Sequence, residues 1–288
     1  MAEVVTKGQD VKSTPAAHAM QRAISAGTKP EGAASESDAS RKVREMFTKI
    51  APRYDLLNHL LSLELDRMWR ARTARILQPI LERPEAQILD LCCGTGDLAF
   101  ALHRRARGRV WGMDFAHTML VRATEKAAAF LTGRDEVGVK SAPLKANRAA
   151  PAPVAFVEGD GLRMPFANGT FDLVTTAFGF RNLANYEAGL LEICRVLKSG
   201  GTLAILECGE PGDGWWGNFY RWYFREVLPR VGGLISGNRA AYTYLPSSVE
   251  RFLRPAELAL LMERTGYERV QFRLWTGGTV ALHLGVKG

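Results

Sequence analysis

The sequence predicts an α/β fold: a doubly wound, mostly parallel seven-stranded sheet with a C-terminal antiparallel hairpin. Short apolar runs that end in Gly-rich or acidic turns alternate with helical patterns along the middle of the chain. Near its end, two β-rich runs flank Gly277 and Gly278. Alternating strands and helices are typical of a parallel sheet covered on both faces, and a Gly-Gly turn between strands is typical of a hairpin. The expected architecture is therefore Rossmann-like.

Each element has a local signal. The first helix is expected to begin at Arg41, because Val43, Met46, Phe47 and Ile50 recur at the spacing of one helical face. Apolar runs bounded by turn residues predict strands at 87–92, 109–114, 154–158, 171–177, 202–207, 269–275 and 279–286. Helical periodicity predicts further helices at 64–77, 97–105, 119–131, 186–197 and 255–265.

The domain organisation follows from composition. Residues 1–40 are predicted as a disordered tail, because they are rich in Ala, Ser, Gly and Lys and contain no apolar signal-peptide core. Residues 41–288 are predicted as one domain. Within it we expect a helical lid at 41–80, a low-order insertion at 132–153 and an aromatic lid or interface segment at 212–245.

The overall composition is that of a soluble globule with a basic surface. The chain has 288 residues, 47% of them apolar, with a formal net charge of +8 and a pI near 9.5. This charge permits attraction to an anionic membrane or to nucleic acid without identifying either. The four cysteines show neither metal-ligand spacing nor the density of a disulfide scaffold. No apolar run reaches the roughly 18 residues of a membrane span, so we expect a cytoplasmic protein, with peripheral contact at the inner face of the membrane as an alternative.

A ligand site is predicted in the turn after the first strand, which contains Asp90, Gly94, Thr95, Gly96 and Asp97. Glycines let a backbone approach a ligand closely, and sheets of this kind bind ligands at the carboxyl ends of their strands. The carboxylate of Asp97 begins the next helix, where it would repel the pyrophosphate of a dinucleotide. A cationic amino-acid ligand tolerates that charge.

Two more acids follow the next strands. Asp114 ends the second strand, where a carboxylate can hold both ribose hydroxyls, and Asp160 follows the third, where it can accept a hydrogen bond from an adenine amino group. Carboxylates at these successive positions suit adenosine that carries a sulfonium, so we expect S-adenosyl-L-methionine as the cofactor. The alternatives are that Asp97 only caps a helix and that Asp160 only occupies a turn.

Several longer blocks of the sequence can be compared with known families. They are FTKIAPRYDLLNHLLS, LDLCCGTGDLA, MPFANGTFDLVTTAFGFRNL, RVLKSGGTLAILECGEP, YTYLPSSVERF and TGGTVALHLGVK. Over about residues 43–287 the chain resembles the menaquinone/ubiquinone biosynthesis C-methyltransferase family, enzymes similar to demethylmenaquinone methyltransferase. The LDLCCGTGDLA block is generic for class I SAM-dependent methyltransferases, whereas the YDLLN, FGFRN and TGG-VALH blocks are more particular.

The resemblance implies donor-binding residues by position. Thr95, Asp114, and Asp160 with Gly161 match the methyl-donor positions of the family. Adding the neighbours of these positions, we expect the donor to be bound by Asp90, Gly94, Thr95, Gly96, Asp114, Phe115, Asp160, Gly161 and Ala177.

The chain departs from the family pattern in three places. Ala177 stands where the family usually has Ser, so one donor-site hydroxyl is missing. Glu64 and Asp66 stand where the family has Gly and His, and the insertion at 132–153 is additional. These differences concern fine donor contacts and the choice of substrate rather than the reaction class.

Methylation of a ring carbon requires electron density there, which a reduced quinol supplies once a phenol proton is lost or shared. Arg181 is expected to stabilise that oxygen, with Asn182 as its orienting partner. Tyr54 and Asp55 are expected to form a lid over the acceptor. The predicted catalytic residues are thus Arg181, Asn182 and Tyr54. The alternatives are an ion pair that fixes the loop for Arg181 and core packing for Tyr54.

No metal or covalent nucleophile is expected, because displacement at a sulfonium depends largely on alignment and exclusion of water. His59, His117 and His283 are not spaced as metal ligands, although His283 is a candidate for facing the pocket. Cys92 and Cys93 are interpreted as small apolar residues beside the turn.

The aromatic segment at 215–235 has Trp216, Tyr220, Tyr223 and Val227 at helical spacing. We expect it to form an apolar lid or an interfacial helix that admits a polyprenyl tail from the bilayer surface. A helix packed on the core and a homodimer face are the alternatives.

The resemblance implies C-methylation of a polyprenyl quinol, first of all demethylmenaquinol to menaquinol in menaquinone biosynthesis. A benzoquinol of the ubiquinone pathway is an alternative acceptor. Two other hypotheses are a methyltransferase of another small molecule or of RNA, and a binding protein that holds the donor without catalysis. No nucleic-acid partner is expected, because the basic charge is dispersed and no Asn-Pro-Pro-Tyr motif follows the fourth strand.

Overall fold

The computed structural model describes residues 27, 28, 30, 32–55, 62, 64–131, 153–209, 211, 212, 214–227, 244 and 247–288. Residues 1–26 of the predicted tail, 132–152 of the predicted insertion and 228–243 of the aromatic segment therefore lie outside the described residues, as does His59. Within the described part, no helix combines the length and the apolar character needed to cross a membrane.

A single seven-stranded sheet forms the centre of the described structure. Its strands are β1 Gln87–Leu91, β2 Arg109–Asp114, β3 Ala155–Glu158, β4 Phe171–Ala177, β5 Leu197–Cys208, β6 Tyr267–Trp275 and β7 Val280–Lys287. Their order across the sheet is β3-β2-β1-β4-β5-β7-β6. Strands β1 to β5 pair in parallel, whereas β7 pairs antiparallel with both β5 and β6. The predicted mostly parallel sheet with its C-terminal antiparallel hairpin is confirmed.

Helices cover the sheet and connect its strands. They are α1 Glu36–Ile50, α2 Leu65–Ile76, α3 Gln78–Leu81, α4 Asp97–His103, α5 His117–Leu131, α6 Tyr186–Val196, α7 Trp215–Trp222 and α8 Pro255–Arg264. Among the described residues, short 3₁₀ turns occur at Ala51–Arg53, Phe180–Asn182 and Thr276–Gly278, and a π-helical turn at Tyr223–Val227 extends α7. The 3₁₀ turn at Phe180–Asn182 follows β4 and belongs to the FGFRN block.

Helix α1 begins earlier than the sequence analysis predicted. Its first residue is Glu36 rather than Arg41, so the predicted boundary of the tail at residue 40 is wrong. The Ser35 hydroxyl accepts a hydrogen bond from the Asp38 backbone N–H and caps the helix, and Glu36 and Asp38 place negative charge in its first turn. The Ser-Glu-Ser-Asp run, which we attributed to a tail, is therefore a helix start signal.

The core lies on both faces of the sheet. In β1, Ile88 packs into one buried cluster with helices α2 and α4, whereas Leu89 and Leu91 pack into the other with α6 and α8. Strands covered on both faces need continuous apolar runs rather than alternation, and the QILDL run of β1 has one with a single acid, Asp90. The order of the sheet reverses between β1 and β4, and open α/β sheets bind ligands at the carboxyl ends of the strands at such a switch point.

Candidate functional site

A cleft lies at this switch point, where open α/β sheets bind ligands. Seven of the predicted site residues line it: Tyr54, Gly94, Asp114, Phe115, Asp160, Gly161 and Asn182. The other five, Asp90, Thr95, Gly96, Ala177 and Arg181, are not among the lining residues of the described chain. The structure therefore brings seven of the twelve predicted positions together at the cleft.

Asp114 is the most strongly organised acid of the cleft. Its side chain is buried, and its two oxygens accept hydrogen bonds of 2.9 Å from the backbone N–H groups of Gly94 and Ala116. Burial raises the pKa of Asp114 to about 6, although these backbone donors act in the opposite direction. Since a carboxylate has about four acceptor positions, it can still bind two hydroxyls of a ligand.

Asp160, which follows β3, is more exposed to solvent than Asp114. Asp160 is an exposed residue of the cleft, and its Oδ1 accepts a hydrogen bond of 2.9 Å from the backbone N–H of Leu162. This contact is the turn geometry that the sequence analysis named as an alternative. The same carboxylate lines the cleft, so Asp160 both forms the turn and borders the candidate ligand site.

The walls of the cleft between the acids are largely apolar. Phe47 and Tyr54 come from the N-terminal segment and pack edge to face, with ring centroids 6.0 Å apart. Phe115, Phe178 and Leu183 line the cleft from the loops after β2 and β4. A ligand in this cleft contacts carboxylates and aromatic rings at once.

The loops at the base of the cleft have an unusual backbone. Cys92 after β1 and Phe178 after β4 both adopt positive φ angles, of 54° and 58°, which are uncommon for residues other than glycine. Gly96, with φ of 87°, completes the turn into α4. Strained backbone of this kind tends to cluster at ligand sites, and Cys92 and Phe178 both line the cleft.

Asp90 lies buried in β1, close to the turn that follows this strand. It is fully buried, its Oδ1 accepts a hydrogen bond of 3.0 Å from the Thr175 hydroxyl, and its Oδ2 has no hydrogen-bond partner in the described structure. Burial raises the pKa of Asp90 to about 7. Its direct role in ligand binding stays a prediction, as does that of Ala177, which packs against the core.

The hydroxyl of Thr95 belongs to a polar cluster on the outer side of the turn. It donates to Asp55 Oδ1 at 2.5 Å and accepts from Lys126 Nζ at 3.0 Å. Lys126 also forms ion pairs with Asp55 at 2.6 Å and with Asp97 at 2.8 Å. The cluster ties the N-terminal segment to the turn after β1, and no local signal in the sequence marked Lys126.

The surroundings of Asp97 weaken the case against a dinucleotide ligand. Its carboxylate is paired with Lys126 and also lies 3.3 Å from the guanidinium of Arg70. Two cations therefore compensate the charge that we expected to repel a pyrophosphate. The distinction between a methyl donor and a dinucleotide must come from other features.

Arg181 lies in a buried ion pair with Glu207, a residue that the sequence analysis missed. Arg181 Nη1 is 2.8 Å from Glu207 Oε1, and the Arg181 backbone N–H donates to Oε2 at 3.0 Å. The guanidinium also donates to the Phe178 carbonyl and, at 3.4 Å, to the Ser248 hydroxyl. Burial by itself lowers the pKa of Arg181, but the charge of Glu207 reverses this and raises it. This is the ion pair that the sequence analysis named as the alternative for Arg181.

The histidines and cysteines do not extend the site. His283 is buried, its Nε2 is 2.9 Å from the Pro255 carbonyl, and it does not line the cleft, so the alternative that it faces the pocket is wrong. His117 is exposed and pairs with Glu158. Burial raises the pKa values of the Cys92 and Cys93 thiols well above their usual range, which fits small apolar residues. Across the described ranges, no group of three or more His, Cys, Asp or Glu side chains is arranged to hold a metal.

Comparison with known proteins identifies the family. The model of the ubiE/COQ5 methyltransferase family matches residues 35–287. The chain belongs to this family. The resemblance stated from the FGFRN and TGG-VALH blocks is therefore confirmed, and the chain is a methyltransferase by family.

Curated members of this methyltransferase family are similar over most of their length. A demethylmenaquinone methyltransferase of Thermus thermophilus is 47% identical over 83% of this chain and 99% of that protein. One of Deinococcus radiodurans is 43% identical over 88% of this chain and 95% of that protein. A solved SAM-dependent methyltransferase from Thermotoga maritima has a TM-score of 0.57 at 16% identity and covers 85% of this chain and 100% of its own, which shows a shared fold.

Proposed function

We propose that this chain transfers a methyl group from S-adenosyl-L-methionine to a ring carbon of a polyprenyl quinol, and that demethylmenaquinol is the acceptor. The observation that supports this most strongly is one cleft that combines the carboxylates of Asp114 and Asp160 with a wall of aromatic side chains. Relatives named demethylmenaquinone methyltransferase, up to 47% identical, support the choice of acceptor.

The residues of the cleft fit the donor. Asp114 is buried and already oriented by two backbone N–H groups, so it can accept both ribose hydroxyls without rearrangement. Phe115 offers an apolar surface beside it, and Asp160 can accept a hydrogen bond from the adenine amino group. When bound, the donor would supply an electrophilic methyl group on a positive sulfur.

The apolar part of the cleft is the part suited to the acceptor. Phe47, Tyr54, Phe178 and Leu183 exclude water from the reacting ring. Asn182 is the polar side chain of the FGFRN block that lines the cleft, so its amide is the group that contacts the ring oxygen. Arg181 acts through the loop instead, because its guanidinium is engaged with Glu207.

The affinity for the donor is expected to depend on pH through Asp114. Its pKa of about 6 means that the carboxylate of the free protein is increasingly protonated below that pH. Ribose hydroxyls and a positive sulfur both favour the ionised form, so affinity should rise with pH through about 6 and then level off. Calorimetric titration between pH 5 and pH 8 measures this dependence. The Asp114→Asn variant should bind the donor weakly, and its affinity should no longer change with pH near 6. A pH profile like that of the wild type would contradict the assignment of Asp114 to the donor.

The cluster around Thr95 is expected to support donor binding indirectly. Replacing Lys126 by Met removes the ion pairs with Asp55 and Asp97 and loosens both Tyr54 and the turn after β1. We expect the dissociation constant for the donor to rise about tenfold, the equivalent of one charge-assisted hydrogen bond. Lys198→Met is the matched control, because Lys198 pairs with Asp172 at 2.7 Å near the amino ends of β4 and β5, away from the cleft. Equal effects of the two variants would show that the cluster has no particular role.

We further propose that helix α7 contacts an anionic membrane surface from which the prenyl tail enters. Trp215, Phe219 and Trp222, which share one face at helical spacing, are 79%, 42% and 54% exposed. This face differs from the predicted one, since Tyr220, Tyr223 and Val227 are only partly exposed and the Trp216 side chain lies outside the described residues. Exposed tryptophans favour membrane interfaces, and the net charge of +8 complements anionic lipid.

The membrane contact is tested with vesicles that contain phosphatidylglycerol. Replacing Trp215, Phe219 and Trp222 by Ala should weaken vesicle binding at least tenfold, because about 1.5–3 kcal/mol is available from each buried large apolar side chain. Met68→Ala with Leu191→Ala is the control, since these side chains are 50% and 52% exposed elsewhere. Binding that is unchanged in the α7 variant would exclude this surface.

The reaction itself is tested by turnover. The purified protein is supplied with S-adenosyl-L-methionine and with demethylmenaquinol, reduced benzoquinols or RNA in parallel. Methylation of demethylmenaquinol supports the proposal. A preference for benzoquinol or RNA would reassign the acceptor, and donor binding without turnover on any acceptor would indicate a binding protein.

A further inference from the structure

A short N-terminal segment that precedes the family match contacts the candidate active site. The match begins at residue 35, yet the backbone N–H of Thr28 donates to the Leu183 carbonyl at 2.8 Å. Gly27 lies so close to Leu183 and Ala184 that a Cβ on it would overlap their backbone. Leu183 and Ala184 both line the cleft. This contact belongs to a part of the chain outside the region matched to the family.

Helix α1 continues the contact with this loop and also binds the segment itself. Asn185 Nδ2 donates to Glu36 Oε1 at 3.1 Å, and Lys42 Nζ donates to the Gly32 carbonyl at 2.5 Å. Thr28 itself is 8% exposed, so its side chain is buried rather than lying loosely on the surface. The segment therefore packs along the loop that follows the FGFRN block.

The Thr28 hydroxyl connects to the cleft through one further residue. Thr28 Oγ1 is 2.9 Å from the hydroxyl oxygen of Tyr244, and the Tyr244 hydroxyl donates to Asn182 Oδ1 at 3.0 Å. A tyrosine hydroxyl has a single proton, so when it donates to Asn182 it accepts from Thr28. The hydrogen bonds then run in one direction, from Thr28 to Tyr244 to Asn182.

The orientation of the Asn182 amide that accompanies this direction decides which of its ends remains for the cleft. A primary amide can present either an acceptor oxygen or two N–H donors, and the two orientations have nearly the same shape. With Oδ1 held by Tyr244, the amide nitrogen is the end left to contact a bound ring. An N–H donor stabilises a phenolate oxygen, whereas a carbonyl oxygen would repel it.

We propose that Thr28 and Tyr244 are positioning residues that orient the Asn182 amide so that its N–H donors face the ring oxygen of the acceptor. The inference rests on the proposed function for its effect on turnover. Thr28 and Tyr244 touch neither donor nor acceptor, and they act only through Asn182. The N-terminal segment thereby takes part in the chemistry of the cleft.

The test compares Thr28→Val, Thr28→Ser and Tyr244→Phe with the wild-type protein. Thr28→Val and Tyr244→Phe should each lower kcat about tenfold, the loss expected for one hydrogen bond in the transition state, with the donor dissociation constant unchanged. Thr28→Ser keeps the hydroxyl and should retain near wild-type kcat. Tyr267→Phe is the matched control, because the Tyr267 hydroxyl donates to the Leu190 carbonyl at 2.9 Å inside the core.

Two further measurements separate positioning from simple stabilisation. In an Asn182→Ala background, Thr28→Val should lower kcat no further, because the group it orients is gone. The side-chain amide resonances of Asn182 should shift in Thr28→Val and Tyr244→Phe but not in Tyr267→Phe. Wild-type kcat in both variants, additive effects with Asn182→Ala, or unmoved amide resonances would overturn the inference. Absence of turnover in the wild type would instead reject the proposed function, while the resonances would still decide the orientation.

Discussion

Replacing Asp114 by Ala is expected to weaken binding of S-adenosyl-L-methionine by a factor of about 100 or more. The change removes two hydrogen bonds from ligand hydroxyls to a charged acceptor, each worth about 1.5–3 kcal/mol, where about 1.4 kcal/mol is tenfold in affinity. It also removes the acceptor for the backbone N–H groups of Gly94 and Ala116, so the turn after β1 loses its support. Isothermal titration calorimetry measures the effect directly.

The control for this variant is Asp172→Ala. Asp172 also accepts a backbone N–H, from Gln87 at 2.9 Å, and pairs with Lys198, but it lies at the amino end of β4, away from the cleft. We expect its donor affinity to stay within about threefold of the wild type. If Asp114→Ala binds the donor as tightly as Asp172→Ala does, Asp114 is not part of the donor site.

Replacing Arg181 by Ala is expected to lower the free energy of unfolding by about 3–5 kcal/mol, because it leaves a buried carboxylate without its cation. Glu207 is fully buried and its Oε1 faces Arg181 at 2.8 Å. The loop that contains Asn182 should loosen as well, so turnover should fall more than donor affinity does. Urea denaturation followed by circular dichroism measures the unfolding free energy.

A double variant separates the ion pair from the packing around it. Arg181→Met with Glu207→Gln removes both charges and should recover most of the lost stability, because no unpaired charge remains buried. Arg254→Ala serves as the control, since Arg254 pairs with Glu257 at the surface, where such pairs contribute about 0–1 kcal/mol. Wild-type stability in Arg181→Ala would contradict the account of this pair.

Much of the sheet, and the position of two acids at one cleft, could be predicted because both depend on local signals. Strands covered on both faces appear in the sequence as short apolar runs, and the acids that follow them lie at one edge of a parallel sheet by topology. Asp114 and Asp160 were found in this way. The start of α1 had a local signal as well, but the polar composition around Ser35 led us to assign it to a tail.

The surroundings of Arg181 and Asn182 depend on contacts between distant residues and were predicted less well. Glu207 is a lone acid in a buried strand, which signals a partner but does not say that the partner is Arg181. Thr28 and Tyr244 meet across 216 positions of sequence. The exposed face of α7 was missed because Trp215 and Trp216 are adjacent in an aromatic-rich run, where periodicity does not decide which side faces the core.

Transfer of a methyl group from the sulfonium of the donor to a ring carbon of the quinol can be followed with an isotope. The protein is incubated with demethylmenaquinol and a donor whose methyl group carries deuterium, and the product is analysed by mass spectrometry and NMR. We expect a product with the labelled methyl on the ring carbon and both ring oxygens unsubstituted. A label on oxygen, or recovery of unlabelled quinol with the donor intact, would contradict this expectation.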